Sequence, residues 1–139
     1  MREGPVTSGL IGEWYAAFFD PPARHWWSRF LRPGFRHVAA FGYCPEMAAW
    51  VVYDVTLRRT WIQLLTSDQM DAWVAALPKH RTIVRLRARN DSAPARLGFW
   101  CAPAIAHLMG VASRALRPEA LHRDLVALGA VPAFEGQPA

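Results

Sequence analysis

Apolar positions along the chain gather in short dense runs, and the spacing inside each run separates strands from helices. Glu13-Trp14-Tyr15-Ala16-Ala17-Phe18-Phe19 is rich in aromatic residues and too short for a helix. Asp20-Pro21-Pro22 stops it, so a strand is predicted. Phe35 to Tyr43, Ala49 to Val55 and Thr60 to Leu65 are three more β-rich runs. A Cys44-Pro45-Glu46 turn and a turn around Leu57-Arg58-Arg59 separate them, and connections this tight predict an antiparallel meander. In the run His80 to Arg89 the pattern alternates, with Val84, Leu86 and Ala88 on one face and Arg85, Arg87 and Arg89 on the other.

Helical spacing appears four times. From Ala23 to Leu31, Trp26, Trp27, Phe30 and Leu31 form an apolar stripe of the kind that docks on a sheet, ended by Arg32-Pro33-Gly34. Ser67 opens a second helix with Asp68 and Asp71 in its first turn and Met70, Trp73, Val74 and Leu77 on its apolar side, and Pro78 closes it. A polar loop, Asn90 to Gly98, leads to a third helix that starts at about Cys101. Pro103 is tolerated in its first turn, and Gly110 is its end signal. The fourth runs from Pro118 to Leu128 and is capped by Gly129. Residues 1–12 read as a loose arm and 131–139 as a tail, which leaves one domain over 13–130. The sum is an α+β fold: an antiparallel sheet packed against helices segregated on one side, with the cysteine-bearing helix after the sheet.

Composition narrows the classes. The chain has 139 residues, 53% of them hydrophobic and 19% charged, enough to build a core without disulfides or metal. Its two cysteines, Cys44 and Cys101, make no disulfide scaffold and have no metal-ligand spacing, so neither a metal nor a cofactor is expected. No run approaches a membrane span and the N-terminus lacks a signal-peptide pattern, which makes the cytoplasm the expected site of synthesis. The net charge of +5 raises nucleic acid as a partner. Lys79 is the only lysine among the 16 cationic residues, and the Arg85, Arg87, Arg89 row reads as a solvated sheet face, so nucleic acid is not the expected partner.

The candidate chemistry centres on Cys101. A thiol at a helix mouth feels the positive end of the helix dipole and lies beside backbone amides that can receive an oxyanion. A nucleophilic thiol also needs a base and a group that fixes the base. His37, on the first strand of the meander, is the candidate base, and Asp54, on the following strand, is the candidate orienting carboxylate, with Glu46 as the alternative. Cys44, beside Pro45 in a turn, is the rival thiol. His107 lies too far around its helix to serve Cys101, His25 and His122 sit on polar helix sides, and His80 is in a turn.

The strand Arg36-His37-Val38-Ala39-Ala40-Phe41, the strand Trp50-Val51-Val52-Tyr53-Asp54 and a late cysteine opening a helix together resemble the circularly permuted papain-like cysteine hydrolases and acyltransferases. These are relatives of bacterial cell-wall endopeptidases and of lecithin–retinol acyltransferase in which histidine precedes cysteine. The segment from His25 to His37 and the helix Leu116-Arg117-Pro118-Glu119-Ala120-Leu121 are most similar to small phage and prophage proteins of this kind, and the resemblance runs from about Glu13 to Gly129. It implies a permuted papain-like fold with Cys101 as nucleophile, His37 as base and Asp54 as orienting residue. A peptide, peptidoglycan or acyl substrate is implied as well. The alternative it leaves is an inactive papain-like scaffold that partners phage structural proteins in a virion. The chain departs from the pattern at Ala102-Pro103, where the proline removes one donor from the helix mouth. Nothing in the sequence bears on oligomeric state.

Overall fold

The computed structural model describes residues 11–22, 29–56, 58–89 and 100–133. Six strands form one antiparallel sheet: β1 (Glu13–Phe19), β2 (His37–Cys44), β3 (Ala49–Val55), β4 (Thr60–Leu65), β5 (Thr82–Arg87) and β6 (Val131–Pro132), in the spatial order β4-β3-β2-β1-β5-β6. Among the described residues three helices pack on it, α1 (Ser67–Ala75), α2 (Cys101–Met109) and α3 (Pro118–Ala127). The expected helix over Ala23–Leu31 and the loop over Asn90–Gly98 lie largely outside the described residues. Phe30, placed by its spacing on a docking face, is 67% exposed, with the Arg29 guanidinium over its ring.

Burial explains why the central strands are continuously apolar. Ala16, Ala17 and Phe18 in β1 and Val38, Ala39, Ala40 and Phe41 in β2 are all fully buried, so both faces of the sheet centre are covered. On one face Ala39, Phe41 and Val52 pack with Met70 and Val74 of α1. On the other Val38, Ala40 and Val84 pack with Cys101, Ile105, Leu121 and Leu125 of α2 and α3. The helices are therefore not segregated on one side, because alternating residues of β2 feed two separate cores. Ala16 lies opposite Ala40 in the register of β1 and β2, and these small side chains share a core with Ala102 and Ala106 of α2. With no bulk on either surface, α2 lies close to the sheet, carrying its first residue toward the end of β2.

The helix ends are held by local chemistry. α1 opens at Ser67, as read from the sequence, and Thr66 before it caps the helix in a reciprocal capping box with Gln69. Gly110, at φ 72°, closes α2: its amide donates to the His107 carbonyl and the Val111 amide to that of Ala106. Gly129 plays the same part after α3. The chain then adds Val131 and Pro132 to β5, so the sheet extends two residues into the segment expected to be tail. Proline is compatible with that edge position, where its missing amide faces no neighbour.

Candidate active site

His37, Asp54 and Cys101 come from three elements and meet at one end of the sheet. Phe41 is opposite Val52 in the β2–β3 register, and counting by twos along both strands places His37 and Asp54 on the same face. The His37 Nε2–H donates to Asp54 Oδ1 at 2.6 Å. Cys101 lies near enough to the same imidazole to act on its protonation. With Nε2 bonded to Asp54, Nδ1 is the remaining ring nitrogen. Cys101 belongs to the core on the α2 face, whereas the Phe19 ring, from the α1-face core, lies edge-on to the imidazole at 5.4 Å and 77°. His37 is the first residue of β2, so the two layers touch there at the strand end.

The site is shielded from water: Cys101 is 7% exposed, and the His37 and Asp54 side chains are 12% and 29% exposed. Burial alone pushes the His37 imidazole down. The hydrogen bond to Asp54, with further contributions from Cys101 and the Asp54 charge, more than reverses this and holds it up at about 10. Around neutrality the ring is therefore an imidazolium bonded to Asp54.

Cys101 is the first residue of α2, and Trp100 before it has extended backbone. Trp100 makes no side-chain cap, and its indole Nε1–H donates instead to the Leu116 carbonyl at 2.6 Å, tying the helix mouth to the segment before α3. The first intrahelical bond runs from the Ala104 amide to the Trp100 carbonyl. The amides of Cys101 and Ala102 thus have no acceptor within the helix, while Pro103 has no amide to offer. The departure at Pro103 leaves two donors at the mouth rather than three.

The other candidates lie elsewhere. Glu46 sits in the turn at the far end of β2, about 23 Å along the strand from His37, which rules it out as the orienting group. Cys44 is buried in the α2-face core. His80 and His107 are exposed, and His25 lies outside the described residues. His122 is not on a polar side: its half-buried ring packs between Phe18 at 5.2 Å and Phe35 at 5.1 Å. Burial, then the nearby Arg32 charge, pushes it below the usual histidine range. Arg85 and Arg87 are exposed on β5, and Arg85 faces Glu13 at 3.6 Å. Among the described residues no cluster of three or more His, Cys, Asp or Glu is placed to hold a metal ion, and no helix is long and apolar enough to cross a membrane. One contributor not marked by the sequence is Asp20, read there only as a strand stop; it accepts from the Gly34 amide at 2.8 Å and from Arg36 Nη1 at 2.9 Å just before His37.

Comparison with models of known protein families, with curated proteins and with solved structures finds no match in any of the three.

Proposed function

We propose that the chain is a cysteine hydrolase of the peptidase or amidase type, or an acyltransferase, working through Cys101, His37 and Asp54. The observation that carries this is one imidazole bonded to the Asp54 carboxylate at 2.6 Å with a helix-mouth thiol beside it. That is the arrangement an acyl transfer needs. An imidazolium beside the sulfur stabilises the anionic nucleophile. The thiolate attacks an amide or ester carbonyl carbon, and the C–S bond forms as the carbonyl electrons move onto oxygen. The Cys101 and Ala102 amides are the local donors for that oxyanion. His37 gives its proton to the leaving amine or alcohol, the C–N or C–O bond breaks, and a thioester remains. Neutral His37 next takes a proton from water, or from an acyl-accepting nucleophile, which attacks the thioester and releases Cys101. Asp54 keeps the ring oriented and offsets its charge through both steps.

The test is the rate of iodoacetamide alkylation at Cys101 against pH, with Cys44 read separately by mass spectrometry and His37→Ala measured beside the native chain. At about pH 6 an ordinary thiol of pKa about 8.5 is nearly all protonated. A paired thiolate gains more from its population than it loses in intrinsic nucleophilicity, so a Cys101 advantage on the order of 10-fold is expected, and lost without His37. Equal rates for the two cysteines, or an advantage that survives His37→Ala, would overturn the proposal and leave a binding or assembly scaffold as the function to pursue.

A further inference from the structure

We infer that Asp20 is a positioning residue for His37, which sets the imidazole so that it can bond Asp54 with Cys101 beside it; this rests on the thiol chemistry proposed above. In the β1–β2 ladder Phe19 is the register partner of His37, so Asp20 and Arg36 face each other one rung beyond the last pair. The two carboxylate oxygens of Asp20 are spent on different targets. Oδ2 accepts from Arg36 Nη1 at 2.9 Å, and Oδ1 accepts from the Gly34 amide at 2.8 Å. Gly34 has φ 85° in a turn closed by the Phe35 amide to the Arg32 carbonyl, the positive-φ site that follows proline in a type II turn. One carboxylate thus grips the chain on both sides of Phe35 and ends the ladder beside His37.

The pair is well shielded, with side chains only 12% and 19% exposed, so solvent screens it less than a surface pair. Phe19 completes the hold by packing edge-on against the ring itself, so consecutive residues fix the imidazole and the backbone that carries it. First residues of strands fray most easily, and His37 occupies such a position. Its ring must keep its bond to Asp54 and its place beside Cys101 at once, and a displacement of about 1 Å in such a group can cost on the order of 100-fold in rate.

The experiment compares the native chain with Asp20→Asn and Asp20→Glu, reading the NMR titration midpoint of His37 and the alkylation rate of Cys101. Asn keeps an oxygen for the Gly34 amide and removes the charge facing Arg36. It is expected to move the His37 midpoint by about one pH unit or more toward the ordinary value, and to slow Cys101 alkylation at about pH 6 roughly 10-fold, with Glu recovering part of both. A purely structural Asp20 lowers the unfolding temperature while leaving the midpoint and the rate of the folded molecules unchanged, and that result overturns the inference. If Asp20→Asn does not fold, Arg36→Lys is read by the same criterion. The midpoint is independent of nucleophilicity: a native Cys101 no faster than Cys44 removes the proposed function, whereas an unmoved His37 midpoint in the variants removes this inference.

Discussion

His37 concentrates the consequences available at the residue scale. Its ring is held up at about 10 against the opposing effect of burial, chiefly by the hydrogen bond to Asp54. A group whose folded pKa lies above its unfolded value of about 6.5 contributes stability that is fully present below that value. The contribution is lost as pH rises through the folded pKa. The window for this chain is therefore about pH 6.5 to 10. Urea denaturation across that window is expected to show the native chain losing stability progressively, with His37→Gln losing less; parallel pH profiles for the two would refute this. Spacing alone made His37 and Cys101 candidates, since a histidine opening a strand and a cysteine opening a helix are visible in the chain. Their pairing across 64 positions was legible only through the expected fold and the family resemblance, since no local signal links them and packing has to bring them together. Asp20 was harder still, since a residue before two prolines reads as a stop signal, and its carboxylate acquires a partner only when β2 lies beside β1.

At the scale of single elements, β2 carries the tightest constraint. A Cβ at Gly42 would lie 2.6 Å from Ile11 Cγ2, 3.0 Å from Trp14 Cε3 and 3.1 Å from the Glu13 carbonyl oxygen. The Ile11 methyl can turn away, but the carbonyl belongs to the β1 backbone. Gly42→Ala is therefore expected to destabilise the fold by about 1 to 3 kcal/mol, measured by chemical denaturation, the usual range for overpacking a dense core. A change within about 0.5 kcal/mol would mean that the strands separate at little cost. In the sequence this glycine is only a break in an apolar run. Helix boundaries were more legible, because their signals are local: Ser67 with its first-turn aspartates opens α1, and Gly110 and Gly129 stand where positive φ is required.

For the whole molecule, the sheet has unequal edges. β6 ends one side with two residues, while β4 ends the other with six that are mostly exposed, among them Trp61 at 48%, Ile62 at 65% and Leu64 at 58%. An apolar, unpaired edge strand is a template for pairing with another chain. Ile62→Lys together with Leu64→Lys is expected to reduce concentration-dependent light scattering, with stability within about 0.5 kcal/mol of the native chain because neither side chain is buried. A large loss of stability would show instead that this edge is covered in solution. The sequence marked Thr60 to Leu65 as a strand but not as an edge, since strand order is a property of the sheet.

What the chain determined by itself is what depends on neighbours a few residues away. Alternation over two residues and recurrence over three to four set β1 to β5 and the three described helices, and the order of those runs set the α+β class. Tertiary structure decided everything that depends on which face a residue turns to and what lies across from it. It split the buried residues of β2 between two cores and so put helices on both sides of the sheet. It added Val131 and Pro132 to β5 and turned His122 into an aromatic stack. It also chose Asp54 over Glu46, because a hydrogen bond is satisfied only within about 3 Å and a strand carries its two ends more than 20 Å apart.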